Sequence, residues 1–184
     1  MTKVKTSLTD PIRVAWIESA VLSRQTLGVT FAPGKKDPYG HGGSWDRDLK
    51  TDLRELRQRH RADVLICLLE DHELALLHIE DLPAEAEAAG LEFVRFPIPD
   101  VTAPAHDETL QNTVKLAIER AQSRKRVVVH CRGGCGRAGT FAAYCLVALG
   151  EQPHHVIRFV RAVRPCAVET REQEQSIIDF PWRI

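Results

Sequence analysis

Hydrophobic positions along the chain follow two periods. Residues 63–69, Asp-Val-Leu-Ile-Cys-Leu-Leu, form a continuous apolar run of strand length, as expected of a strand buried on both faces in a mainly parallel sheet. Residues 126–130 make a second strand, rich in valine, and residues 91–97 alternate Leu, Phe, Val, Arg, Phe. Residues 12–21 and 28–31 carry β-branched and aromatic side chains with partial alternation, which predicts two short strands of a hairpin or sheet edge. Elsewhere the spacing is three to four. Trp45, Leu49, Leu53 and Leu56 predict a helix capped by Ser44 and running to about residue 60. A short helix is expected up to Leu77, and another from Pro83 to Ala89, ended by Gly90. Leu110, Val114, Ala117, Ile118 and Ala121 give the clearest amphipathic stripe, over residues 107–123. Residues 138–149 are apolar all round, as in a fully buried helix. Further helices are expected over residues 153–164, with Pro153 in the first turn, and 170–180.

Strands alternating with helices imply an α/β fold, with a central, mainly parallel mixed sheet of four to five strands covered by helices on both faces. With 184 residues, 43% of them apolar, the chain suits one domain spanning residues 1–184. Residues 32–44 combine Pro, Gly and two lysines and are expected to form a long loop, of the kind that is more often functional than idle.

Acidic and basic residues balance at 25 each, so no global field draws the protein to nucleic acid or an anionic membrane. No stretch is long and apolar enough to span a bilayer, and the N-terminus lacks the apolar core of a secretion signal, so a cytoplasmic location is expected. A monomer is the expected state. The five cysteines, at 67, 131, 135, 145 and 166, show no framework spacing and are expected to be mostly reduced, with Cys67, Cys145 and Cys166 as packing residues.

Cys131 stands apart. The segment Val-Val-Val-His-Cys-Arg-Gly-Gly-Cys-Gly-Arg, residues 127–137, puts a cysteine at the end of a buried strand and Arg137 six residues later, at the start of a buried helix. Successive N–H groups of such a turn, here Arg132, Gly133, Gly134, Cys135 and Gly136, point inward, and the helix dipole adds positive potential. Gly133, Gly134 and Gly136 permit backbone angles that side chains forbid. The same field favours the thiolate of Cys131, whose thiol would otherwise titrate near ~8.5. Arg137 offers a planar fork matched to two phosphate oxygens. Asp100, in the proline-bounded loop Pro97-Ile98-Pro99-Asp100-Val101-Thr102-Ala103-Pro104, is the candidate acid. Asp107 is a second choice and a better helix cap. His130 is expected to shape the loop through buried hydrogen bonds, and Arg132 either meets substrate or faces solvent. Lys35 and Lys36 either attract a phosphorylated partner or serve solubility. The adjacent His154 and His155 point apart on a helix, so neither a metal nor a cofactor is expected.

The His-Cys, five residues, Arg pattern resembles that of the protein tyrosine and dual-specificity phosphatase superfamily. Phe-Pro-Ile-Pro-Asp at 96–100 and Ala-Val-Glu-Thr-Arg-Glu-Gln at 167–173 are similar to its cyclin-dependent-kinase-associated group. The resemblance implies a metal-independent phosphatase with a cysteinyl-phosphate intermediate, acting on phosphotyrosine or mixed phosphoproteins, or on a small phosphate ester. It implies Cys131 as nucleophile, Arg137 as transition-state ligand, Asp100 as acid and then base, and Gln173 beside the hydrolytic water. Two departures from the family follow. Glu169 stands where many relatives have a glutamine, and Ala138 where a Ser or Thr usually bonds the departing thiolate, unless Thr140 substitutes. A module that recognises phosphate without turnover is therefore an alternative, as is a redox protein using Cys131 and Cys135. Cys135 and Cys67 are the candidate disulfide partners for an oxidised Cys131.

Overall fold

The computed structural model describes residues 4–22, 25–40 and 42–184. Residues 1–3 and His41, on which the N-terminal and loop readings partly fall, lie outside the described residues. The element order is β1 (Ala15–Trp16), β2 (Leu27–Phe31), β3 (Lys36–Asp37), β4 (Trp45–Asp46), α1 (Leu49–Gln58), β5 (Val64–Cys67), α2 (Asp71–Leu76), α3 (Leu82–Ala88), β6 (Glu92–Arg95), α4 (Glu108–Gln122), β7 (Val127–Cys131), α5 (Gly136–Ala148), α6 (Pro153–Val163) and α7 (Arg171–Ile178).

Five strands form one sheet in the order β1-β2-β7-β5-β6, antiparallel between β1 and β2 and parallel elsewhere. Alternation along β5 and beyond it divides the core. Val64, Ile66 and Leu68 face the cluster built with α4, α5, α6 and α7, while Leu65, Cys67 and Leu69 face the one built with α1, α2 and α3. The sheet is therefore covered on both faces, which is why β5 and the valines of β7 read as apolar runs. The centre strand β7 ends at Cys131, level with Phe31 of β2, and all of α5 is buried.

Two boundaries differ most from expectation: the strand expected over residues 12–21 is confined to β1, Ala15–Trp16, and the helix expected from Ser44 starts later. Helix α1 begins at Leu49, capped by Asp48, whose carboxylate accepts from the Thr51 N–H at 2.7 Å. Trp45 instead pairs in β4 with Asp37 of β3, its ring 5.0 Å from that of Phe31. The helical spacing of Trp45 is thus coincidental. The expected loop of residues 32–44 accordingly contains β3, and it is anchored from beneath. Arg47 and Asp52, both fully buried, meet at 2.7 and 2.8 Å, and Asp52 also accepts from the Gly34 N–H. Arg47 further donates to the Asp10 carbonyl, so the N-terminal segment, the loop and α1 are tied at one point. That tie fixes Lys35 at the end of the sheet.

Candidate active site

Beyond β7 the chain turns through residues 132–135 into α5. Gly134 has φ +67°, and a Cβ there would fall within 2.6 Å of the Thr30 and Phe31 backbone. The turn thus packs directly on β2, which only glycine permits. A Cβ on Gly136 would meet Glu169 and Gln173 at 2.8–2.9 Å. Of the three glycines expected to relieve backbone angles, only Gly134 has positive φ; Gly136 is required by close packing, and Gly133 has neither constraint. The far side of the turn is held by Arg164, which donates to the carbonyls of Gly134 and Gly133 at 3.0 and 3.1 Å. With those carbonyls drawn outward, the N–H groups are left for the inner side.

A cavity of about 280 Å³ lies over this turn, lined among others by Cys131, Arg132, Arg137, Asp100, Lys35 and Glu169. Cys131 is 3% exposed. Arg137, Lys35 and Arg164 all lie near enough for negative charge on the Cys131 sulfur to favour their charged forms. The site therefore collects cations around that sulfur.

Arg137 is buried and heavily engaged. Its Nη1 donates to Glu73 Oε2 at 2.6 Å and to the Ile98 carbonyl at 2.8 Å; its Nη2 donates to Glu73 Oε1 at 2.7 Å and lies 2.9 Å from Asp100 Oδ1. Burial alone would lower the Arg137 pKa, but the Glu73 carboxylate outweighs it and holds the guanidinium above its ordinary value. Burial likewise opposes ionisation of Glu73, and the Arg137 bond reverses this. Arg137 Nε is buried with no partner among the described residues. Glu73 is a residue that sequence reasoning missed; its only signal is local, a capping bond from the Glu70 N–H at the start of α2.

Arg132, split between substrate and solvent by its sequence, is half-buried and bound to the buried Asp37 at 3.0 Å. Lys35, read as a loop lysine, is 2% exposed, its ammonium 4.1 Å from the Trp45 ring centroid and 5.2 Å from that of Phe31. Burial pushes its pKa down to about 8.

Four expectations need correction. Gln173 does not line the cavity but is buried behind Gly136. Its Oε1 accepts from the N–H groups of Glu169 and Thr170, and its Nε2 donates to the Thr102 carbonyl, so it braces the loop that carries Asp100. Gly134 packs on β2 and does not line the cavity either. Neither ring nitrogen of His130 has a side-chain partner among the described residues, and burial pushes its pKa down to about 3 against the opposing pull of the Cys131 backbone beside it. Finally, Cys135 is joined to Cys166 in a disulfide, with a Cα–Cα distance of 5.0 Å. This removes Cys135 as the redox partner of Cys131 in this structure and Cys166 as a simple packing residue. Cys67 sits in the other core cluster beside Arg95, its thiol pushed up to about 11 by burial, so it is a packing residue.

Thr140 does not take the place of the missing hydroxyl at Ala138. It donates to the Gly136 carbonyl within its own helix, at 2.8 Å.

A strand-end cysteine, a cupped turn and a buried arginine at a helix start define a phosphatase-type anion site. Residues 47–177 match the family described as "PTP-SAK: Swiss Army Knife protein, DSP-PTPase phosphatase domain", and the chain belongs to it. Among curated proteins, cyclin-dependent kinase inhibitor 3 of Rattus norvegicus is 28% identical over 174 residues, covering 92% of this chain and 79% of that protein. The fold matches the crystal structure of kinase associated phosphatase (KAP) carrying serine for its catalytic-site cysteine, with a TM-score of 0.83 and 22% identity over 92% of this chain and 93% of that one. Tk-PTP in its active form matches with a TM-score of 0.69 and 28% identity, covering 91% of this chain and 95% of that one. The similarity to kinase-associated phosphatases expected from residues 96–100 and 167–173 is thus supported along nearly the whole chain.

Proposed function

We propose that the protein hydrolyses phosphate monoesters of phosphoproteins without a metal, through a phosphate covalently held on Cys131. The observation that carries this reading is the partnerless, buried Nε of Arg137 beside a cavity lined by Cys131 and Asp100. A buried cationic donor left unpaired costs free energy, and a phosphate oxygen is its natural complement.

In the resting site Asp100 occupies Nη2 of Arg137. An entering phosphate takes Nε and Nη2, displacing the Asp100 carboxylate toward solvent and the leaving group. The N–H groups of Arg132, Gly133, Cys135 and Gly136 receive the other oxygens. Released from Arg137, the Asp100 carboxylate takes up a proton from solvent; the Cys131 thiolate then attacks phosphorus in line, the phosphorus–oxygen bond breaks, and Asp100 gives that proton to the leaving oxygen. Water then attacks the phosphocysteine, Asp100 takes a proton from it, and phosphate leaves as the thiolate reforms. Glu169, not Gln173, faces the cavity where this water enters.

A phosphorylated protein is the substrate class we favour, on the strength of the kinase-associated relatives. The second reading, a module that recognises phosphate without turnover, is favoured by Ala138 alone. Hydrolysis of p-nitrophenyl phosphate, lost in Cys131→Ser and reduced in Asp100→Asn, tests the proposal; binding of phosphate without any hydrolysis would replace it with the second reading.

A further inference from the structure

Of the cations near the Cys131 sulfur, two are engaged elsewhere. Arg137 is paired with Glu73 and lies 2.9 Å from Asp100. Arg164 gives its Nε and Nη2 to the carbonyls of Gly134 and Gly133. Lys35 is different. It is 2% exposed and makes no ion pair among the described residues, and the one hydrogen bond of its ammonium among them is a 3.4 Å contact with the Arg132 carbonyl. Asp37, the carboxylate that favours its charged form, is itself bound to Arg132 at 3.0 Å. An ammonium brings three donors, and burying it with so little compensation is unfavourable unless a negative charge stands nearby.

The sulfur is the group placed to supply that charge. Lys35 lines the cavity over the phosphate turn together with Cys131. Its ammonium stands 5.2 Å from the Phe31 ring centroid, and Phe31 is the cross-strand neighbour of Cys131 where β2 and β7 end. The carbonyl that it touches belongs to Arg132, the next residue along the chain. On the sulfur side no hydroxyl is offered from position 138, which is alanine. A potential anion short of donors and a cation short of acceptors thus line one cavity.

We propose that Lys35 is the counter-charge of the Cys131 thiolate, its otherwise unpaired ammonium favouring ionisation of the sulfur and so enlarging the fraction of protein able to attack phosphorus. The proposal deepens the phosphatase reading and rests on it for the role of Cys131. Lys35 acts through the sulfur and needs no contact with substrate. It supplies charge and no directed hydrogen bond, so the deficit left by Ala138 in the second step remains. Its influence also has an upper limit in pH. Burial brings the Lys35 pKa down to about 8, so the counter-charge is complete well below that value and lost above it. The other charged groups facing Lys35 are Asp37 of β3, which favours the ammonium, and Arg47 and Arg132, which oppose it. Lys5 approaches the same Trp45 ring, at 4.6 Å against 4.1 Å for Lys35.

Alkylation by iodoacetamide, followed on the Cys131 peptide by mass spectrometry, tests this without any substrate, because the thiolate is the reacting form. Lys35→Met keeps the apolar stem and removes a buried charge, so it should unfold at or above the temperature of the unsubstituted protein. At about pH 6 its alkylation should be about tenfold slower; by about pH 9.5, where Lys35 itself has lost its charge, the two rates should meet. The coupling must also run in reverse, since linkage is reciprocal. In Cys131→Ser the Lys35 ammonium, followed by NMR, should therefore titrate about one pH unit lower than in the unsubstituted protein. Equal alkylation of both proteins at about pH 6 overturns the proposal, as does slowing of the same size at both pH values, which would be a packing effect. A Lys35 titration that Cys131→Ser leaves in place overturns it too, and that measurement stands even if Lys35→Met does not fold. p-Nitrophenyl phosphate turnover reports separately: coupling without hydrolysis defeats the phosphatase reading and keeps the charge pair, while hydrolysis without coupling does the reverse.

Discussion

Arg137 and Glu73 meet through two parallel hydrogen bonds of 2.6 and 2.7 Å, with both side chains almost entirely out of water. This pair sets the plane of the guanidinium and so the direction in which Nε points. Glu73→Ala leaves a buried cation uncompensated and is expected to cost about 3–5 kcal/mol in urea unfolding. Glu73→Gln keeps the volume but loosens the fork, and kcat/KM for p-nitrophenyl phosphate should fall about 100-fold, as for a reacting group misplaced by an ångström. An unchanged kcat/KM in Glu73→Gln would reduce Glu73 to a packing role.

Ala138 is fully buried in the first turn of α5, and the Thr140 hydroxyl is bonded elsewhere. Without a hydroxyl donor at position 138, hydrolysis of the phosphocysteine should be slow and the native protein should show a burst of p-nitrophenol. Ala138→Ser restores a hydrogen bond to a charged sulfur, worth about 1.5–3 kcal/mol. Stopped-flow measurement should then show a smaller burst and a steady-state kcat higher by about 10- to 100-fold. The same second step in both proteins would refute this account.

Cys135 and Cys166 close a loop of 31 residues in sequence. Cys166→Ser is expected to lower stability by about 2–4 kcal/mol, read by thermal unfolding, and titration of the unfolded native protein should find the three thiols of Cys67, Cys131 and Cys145. Five titratable thiols in protein isolated with its thiols blocked would show that the bond is not formed in the cell. Disulfides persist chiefly in oxidising compartments, so their count also bears on the expected cytoplasmic location.

His130 declines in the folded state, down to about pH 3, a proton that the unfolded chain accepts near 6.5. The unfolded state therefore binds more protons over that window, and stability falls as pH drops through it. Between pH 6.5 and 5, before the carboxylates titrate, the slope should be about 1.4 kcal/mol per pH unit for one proton. Urea midpoints measured across that range should drop for the native protein and stay flatter for His130→Leu; parallel slopes would mean that His130 is not the group responsible.

The layers of the fold and the Cys131–Arg137 turn were legible because they follow from short-range rules. Residues 64–69 and 127–129 are apolar without interruption since both faces of β5 and β7 are covered. Asp107 caps α4, as expected, while Thr170, expected inside the last helix, caps α7 instead. What escaped the sequence depends on distant partners. Nothing near Glu73 announces an arginine 64 residues away, and nothing near Lys35 says that an otherwise polar loop is pinned by Arg47 and Asp52 and its ammonium taken out of water. Cys166 lies 31 residues from Cys135, and only the approach of the segment after α6 to the phosphate turn brings the sulfurs together. Trp45 misled for the opposite reason, since a chance spacing mimicked a helix where Asp48 begins one.

Next to Asp100, Val101 is held at φ +59°, and its N–H donates to Asp100 Oδ1 at 3.0 Å. A β-branched residue in that left-handed conformation is uphill by about 1–2 kcal/mol. The docked position of Asp100 is thus drawn in by Arg137 while the residue beside it carries backbone strain, and that strain offsets part of the ion pair's hold on the loop. Release needs no large impulse, because a return of Val101 to negative φ refunds part of the ion pair that is given up.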